Sequence, residues 1–216
     1  MKTTITSLLI SASSLSTSYA TTIYVEAESG SYGANYTSTA HSLALGNAYL
    51  SSNLALGGNS PVGAAQVIDY QVALSVGTYD LYVRGYIETP SPGNNDSIFV
   101  GNGFGAKALS NDAEWTALNN MQSLQSPEGT TLGTDNYVWI NFTTKTDVSQ
   151  FTTTGGTETF QLAHREDGFR IDAFAFVTSG ETPSSAQLSA NAVPEPSSLA
   201  LIGLGAVGAL LRRNRR

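Results

Sequence analysis

From Thr22 to Glu28 the chain alternates, with Ile23, Val25 and Ala27 on one side and Tyr24, Glu26 and Glu28 on the other. A period of two over that length predicts a strand with one buried face. The same period returns in Gln66–Leu74, where Ile68, Tyr70, Val72 and Leu74 share a side. It returns in Thr78–Tyr86, with Tyr79, Leu81 and Val83 inward and Asp80, Tyr82 and Arg84 outward. In Tyr137–Phe142 it sets Val138, Ile140 and Phe142 against Tyr137, Trp139 and Asn141. Shorter strands are predicted at Ala48–Ser51, Asp96–Val100, Gln150–Thr153 and Thr157–His164, and Phe169–Thr178 is the last. Turn chemistry separates them at Gly57–Gly63, Pro90–Asn95 and Gly101–Gly105, and Ser29–Asn47 reads as a long loop. Lys107–Asp135 carries no strand pattern; a helical turn over Asp112–Gln122 is all it predicts, and such stretches are often binding loops. Many short strands, little helix and no internal repeat predict an all-β chain, a single β-sandwich of jelly-roll type.

The two ends follow other rules. Lys2, the apolar run Ile5–Ile10 and the small-x-small site Ser18-Tyr19-Ala20 form a signal peptide over residues 1–20, so the mature chain would begin at Thr21. At the other end Ser179–Ala192 is a Ser/Thr/Ala-rich linker. After it come Pro194-Glu195-Pro196, an uncharged run from Leu199 to Leu211, and Arg212, Arg213, Arg215 and Arg216. Thirteen residues of helix span about 20 Å at ~1.5 Å each, against a bilayer core of about 30 Å. The run is a short transmembrane helix with its arginines on the cytoplasmic side. Gly203, Gly205 and Gly208 spell a dinucleotide fingerprint, but no strand precedes them and no acidic residue follows; they are small residues of a membrane helix.

Residues 193–216 in this order resemble the PEP-CTERM sorting signal of Gram-negative bacteria; the bland alternative is a simple C-terminal membrane anchor. The resemblance implies that an exosortase is a partner, cutting near Pro194-Glu195-Pro196. It also implies a passing single-pass stage in the inner membrane and a product that is secreted or held at the cell surface or in the matrix.

Charge sharpens this division. Between Thr21 and Val193 sixteen acidic residues face five basic ones, and four of the ten basic residues lie in the last five positions. An acidic domain excludes nucleic acid as a partner and is compatible with calcium, neutral sugars or plain solubility. The chain has no cysteine. An exported domain without disulfides rests on core burial, with a metal as a further option, and thiol chemistry is excluded.

Three segments carry a second resemblance: Tyr24–Ser29 (YVEAES), Gly77–Tyr86 (GTYDLYVRGY) and Phe160–Thr178 (FQLAHREDGFRIDAFAFVT). Their order is similar to carbohydrate-binding modules of families 6 and 35, which have a galactose-binding-like jelly roll. The resemblance spans Tyr24–Thr178 and implies polysaccharide as ligand. It also implies a structural calcium at the first and last strands, where Glu26 and Glu28 match the family's two glutamates and Asp172 its aspartate. Taken alone, Glu26 and Glu28 lie two apart on a predicted strand, so their carboxylates share a face and repel unless a cation or an arginine lies between. The alternative is a pair of solvated acids, with Arg170 as a partner.

Sugar binding rests on aromatic faces against C–H and on polar groups for hydroxyls. Candidates are Tyr36 in the first long loop, Trp115 in polar loop sequence where exposure is expected, and Tyr137 with Trp139, for which sheet packing is the competing role. Asn141 and Asp112 are polar candidates. Tyr137 and Trp139 match a tryptophan-bearing family strand, with altered spacing. No catalytic motif appears: only His41 and His164 exist, without H-E-x-x-H or G-x-S-x-G. Glu166 and Asp167 are adjacent and diverge on an extended chain, which does not suit a glycosidic bond. The expectation is a non-catalytic, exported, polysaccharide-binding β-sandwich. A structural matrix protein and a polysaccharide-degrading enzyme assembled from distant carboxylates are the alternatives.

Overall fold

The computed structural model describes residues 22–192, except 56, 89–91 and 134–135. The expected signal peptide, the apolar run and the arginine cluster lie outside the described residues. Among the described residues no helix is long and apolar enough to cross a membrane.

Among the described residues there are eleven strands. They are β1 (Thr22–Glu26), β2 (Tyr36–Ala40), β3 (Ala48–Ser52), β4 (Val67–Leu74), β5 (Gly77–Ile87), β6 (Ile98–Gly101), β7 (Trp115–Leu118), β8 (Val138–Asn141), β9 (Phe151–Thr153), β10 (Gly156–His164) and β11 (Phe169–Thr178). Two short helices, α1 (Phe142–Lys145) and α2 (Ser185–Ala192), complete the elements used here. The strands form two antiparallel sheets, as expected of a β-sandwich. One has seven strands in the order β2-β3-β11-β5-β8, with β1 also on β11 and β9 also on β5; the other runs β4-β10-β6-β7.

The alternation seen in the sequence sets the layers. Ile68, Tyr70 and Val72 of β4 and Phe160 and Leu162 of β10 face Leu81 and Val83 of β5 and Phe174 and Phe176 of β11. Phe160, Phe174 and Phe176 touch pairwise with centroids 5.0–5.9 Å apart. Edge-to-face pairs of this kind add about 0.5–1.5 kcal/mol each beyond area burial. Cross-sheet contact of large rings is therefore a main source of cohesion in a chain without disulfides.

β11 lies at the centre of the large sheet. Its register with β5 slips between Ile171 and Ala173, which leaves Asp172 as the extra residue of a bulge. A bulge re-aims a side chain, and this one puts a carboxylate within reach of Arg84, an outward residue of β5. The outer face of the same sheet carries Tyr82, Trp139, Ala173, Ala175 and Val177, packed under Leu188 of α2.

Several expectations change. Glu28 is not on a strand: β1 stops at Glu26, and residues 27–29 form one 3-10 turn. Tyr36 is not in a loop but opens β2. The predicted helical turn over Asp112–Gln122 is β7 followed by a 3-10 turn. β7 pairs residue for residue with β6, from Trp115 on Gly101 to Leu118 on Ile98. Non-local pairing overrides weak local preference there. Phe142 leaves its strand to start α1, because Asn141 Oδ1 accepts from Thr144 N at 3.0 Å and caps it. The segment read as a linker contains α2, with Leu188 at 0% and Ala192 at 4% exposure.

Candidate functional site

Four rings converge at one end of the outer face of the large sheet. Tyr49 comes from β3, Tyr86 from the end of β5, Tyr137 from the residue before β8, and His41 from the turn after β2. Tyr86 and Tyr137 meet edge to face at 4.9 Å, and His41 reaches Tyr137 at 5.5 Å and Tyr49 at 5.9 Å. The 41–47 turn places His41 through its backbone: His41 N donates to Asn47 O at 2.9 Å, and Ala44 N to His41 O at 3.1 Å. His41, Leu43, Tyr86 and Tyr137 line an open hollow of about 260 Å3. Leu43 is 58% exposed, so its side chain forms a free rim.

Two guanidinium groups brace the rings. Arg84 lies 5.0 Å from the centre of Tyr137 and Arg170 lies 5.3 Å from that of Tyr49. Each is already paired, Arg84 with Asp172 and Arg170 with Glu88. Arg84 also donates to Leu43 O from Nη1 at 3.4 Å and Nη2 at 3.3 Å, which fastens the rim. The hollow therefore has aromatic walls and little unbalanced charge. Tyr137 Oη is buried without a hydrogen-bond partner. Burial first, and the nearby Asp172 charge second, raise its pKa far above the usual phenol range.

The expected aromatic candidates divide. Tyr137 is half-buried and belongs to the hollow. Trp139 is 1% exposed; it packs edge to face on Tyr24 at 6.1 Å and donates from Nε1 to Ser189 Oγ at 3.1 Å. Trp115 is 3% exposed, against the expectation of an exposed loop. It packs with Val67, Phe99 and Ala163, and its Nε1 donates to Ala108 O at 3.0 Å. Tyr36 is 6% exposed; its hydroxyl donates to Gln66 O and accepts from His164 N. Asn141 is 6% exposed and serves as the cap of α1. Asp112 accepts from Ser60 Oγ and Asn59 Nδ2, which ties two loops. Trp115, Trp139, Tyr36 and Asn141 thus present no open face in this structure. His164 is buried, with Nε2 2.7 Å from Phe169 O.

Sequence reasoning missed His41, Tyr49 and Tyr86. For Tyr86 a signal existed, since it is the next outward position of β5 after Tyr82 and Arg84. His41 gave none, because the turn that carries it has no period, and Tyr49 lies on a predicted strand too short to show which face it lines.

Of the expected calcium residues, Glu26 and Asp172 lie beside Arg84, and Glu28 lies in the turn after β1, near enough for its charge to act on Glu26. Burial pushes Glu26 up to about 6, with the Glu28 charge adding to the rise, and pushes Asp172 up to about 7 against the pull of Arg84. Glu28 is also raised by burial. One oxygen of each, Glu26 Oε2, Glu28 Oε2 and Asp172 Oδ1, is buried without a partner. Gly46 has φ 64°, and a Cβ on it would stand 2.9 Å from Glu26 Oε1, so loop backbone is pressed against that carboxylate. Unpartnered anionic oxygens beside backbone fit a hard cation. Arg84, however, holds the Oδ2 side of Asp172, and among the described residues no three His, Asp or Glu side chains form a ready metal cage. Arg170, the alternative partner for the glutamates, is paired with Glu88.

Comparison with known proteins agrees with the reading of the tail: residues 192–216 match the PEP-CTERM protein-sorting motif. No curated protein sequence matches the chain. Similar solved structures include family 6 and family 35 carbohydrate-binding modules. A family 35 module from Clostridium thermocellum is 14% identical, with a TM-score of 0.44 over 72% of this chain and 98% of that one. The C-terminal family 6 module of a laminarinase from Zobellia galactanivorans is 15% identical, with a TM-score of 0.45 over 73% of this chain and 100% of that one. An exo-β-1,3-galactanase from Phanerochaete chrysosporium is 12% identical, with a TM-score of 0.47 over 74% of this chain. The present chain covers only 30% of that enzyme.

Proposed function

We propose that this is an exported, non-catalytic protein that binds polysaccharide through the ring-walled hollow at His41, Tyr86 and Tyr137, and that an exosortase sorts it by its tail. The observation that carries the binding reading is the hollow itself. Its walls offer aromatic surface to the C–H face of a sugar ring, and its paired arginines hold those walls in place. The three sequence segments similar to carbohydrate-binding modules support the same reading, and the sorting motif supports export. An acidic domain whose local guanidinium groups are neutralised favours a neutral sugar chain over a polyanion.

Calcium is part of the proposal as a structural ion. Glu26, Glu28 and Asp172 would hold it, and it would supply charge to three buried oxygens that otherwise lack a partner. The reading is non-catalytic: among the described residues that line the hollow and the neighbouring groove formed by the 126–130 turn and α2, Glu128 is the one carboxylate. Glycosidic hydrolysis of the usual kind needs two, about 5–9 Å apart. Burial of both tryptophans favours the second reading, a matrix protein that keeps the fold without a soluble ligand.

The test is a polysaccharide array probed with the Thr21–Ala192 segment, with calcium and with chelator, beside Tyr86→Ala. Binding lost in Tyr86→Ala supports the hollow. No binding to any polysaccharide by the unaltered segment removes the proposal and leaves the matrix role. Calcium that leaves the melting temperature unchanged removes the structural ion.

A further inference from the structure

The hollow does not end the concave surface. Beside it a groove of about 420 Å3 runs between the 126–130 turn and α2. Tyr137 lines both, and Arg84, which lines the groove, holds the Leu43 rim of the hollow. Pockets for small molecules commonly enclose about 300–1,000 Å3. The groove falls inside that range and the hollow alone falls below it. A ligand confined to the hollow would leave the larger space beside it empty.

The groove is built as a firm channel. Glu128 spans its two walls: its carboxylate accepts from Ser185 N at 2.5 Å and from Ser185 Oγ at 2.6 Å. Those bonds also hold the carboxyl below its usual range, so it stays anionic. On the floor Trp139 Nε1 donates to Ser189 Oγ at 3.1 Å and fixes the α2 wall from beneath. Ser126 Oγ accepts from Glu128 N and Thr130 N, which shapes the opposite wall. Val138 and Trp139 lie beneath the groove, both almost wholly buried, and its edges carry hydroxyls, one carboxylate and the exposed Ala186. Hydroxyls and a carboxylate along both walls offer acceptors and donors to the hydroxyls of a sugar. Tyr137, which lines both, forms the ridge where groove meets hollow, so a chain that crosses from one to the other passes over it.

We infer that the groove is a second saccharide subsite, continuous with the hollow across Tyr137, so that the ligand is a chain of several sugar units laid along the outer sheet face and not a single terminal sugar. This inference rests on the reading of the hollow given above. It gives α2 a part in recognition: the helix that leads into the sorting motif is one wall of the ligand channel.

The experiment uses the full-length chain in mild detergent and ladders of β-1,3- and β-1,4-linked hexose oligosaccharides of one to six units. Thr130 and Ala186 are exposed and stand on opposite walls. Thr130→Trp and Ala186→Trp each fill the groove without touching the hollow. The unaltered chain is expected to gain about tenfold in affinity, or about 1.4 kcal/mol, between the two-unit and the longer members. Both variants lose that gain, bind the short members as before and melt at the unaltered temperature. A gain with length that persists in both variants overturns the subsite, as does an unaltered chain indifferent to length. If Tyr86→Ala abolishes binding while the groove variants keep the gain, the hollow stands and only the groove falls. If the unaltered chain binds no member, the reading of the hollow falls and takes the groove with it.

Discussion

Replacing Arg84 by methionine tests the electrostatics at the centre of the outer face. Asp172 has no exposed side-chain surface, and Arg84 retains only 13% of its own. One carboxylate oxygen of Asp172 is unpartnered even with Arg84 in place. Removing the guanidinium leaves a buried, uncompensated charge, which costs about 3–5 kcal/mol when the charge must remain. It need not remain at every pH. Burial already pushes Asp172 up to about 7 from 3.8, and Arg84 is the main group opposing that rise. Without it the folded-state pKa climbs further. A carboxyl raised in the folded state adds stability below its unfolded pKa and loses it as pH rises through the folded one. In the unaltered protein that loss therefore falls between about pH 4 and pH 7, whereas in Arg84→Met it continues above pH 7. Each unit by which the pKa climbs adds about 1.4 kcal/mol to the difference at high pH. Urea denaturation at pH 5, 7 and 9 in chelator reads it directly. The variant should lose little at pH 5, where Asp172 is protonated in both proteins, and most at pH 9. A loss equal at pH 5 and pH 9 would refute the argument, because the cost would then be packing alone.

Other outcomes follow from the same structure. Phe174→Ala removes a ring that touches Tyr70 at 4.6 Å and Phe160 at 5.0 Å; denaturant unfolding should show a loss of about 3–5 kcal/mol. Leu188→Ala should release α2 while the sheets persist, read by hydrogen exchange as lost protection confined to residues 185–192, since an isolated helix of this length is unstable in water. His164 is pushed down to about 4 by burial, so its contribution is complete above its unfolded pKa of about 6.5 and declines as pH falls from there through 4. His164→Gln should flatten that acid limb of the stability profile, and an unchanged slope in chemical denaturation would count against it.

The layers were legible where one face of a strand is buried and the other wet. Ile68, Tyr70, Val72 and Leu74 all point into the core as their spacing predicts, and Phe169–Thr178 is a strand from end to end. What could not be seen is what distant chain supplies. β7 carries no alternation of its own and exists because β6 offers it an edge. α2 reads as linker because its residues are small or polar apart from Leu188, the one large apolar side chain that docks it. The hollow was half legible: Tyr137 stood out beside a strand, while His41 reaches it only through the fold of the 41–47 turn and Tyr49 lies on a strand too short to show its face. The tryptophans drew attention by residue type, yet large indoles are as useful beneath a strand or a helix as above a ligand.

The docking of α2 also fixes a length. Had residues 179–192 been a free tether, the sandwich could have swung tens of ångströms from whatever holds the tail. With α2 packed down to Ala192, only Val193–Ser198 separate the folded body from the uncharged run. Fully extended, six residues reach about 20 Å. Anything that grips the chain from Leu199 onward therefore keeps the whole sandwich within roughly its own radius of the grip. A membrane holding the tail would have the domain lying almost against it, and a sorting enzyme would have to work in the gap or pry the helix loose to widen it.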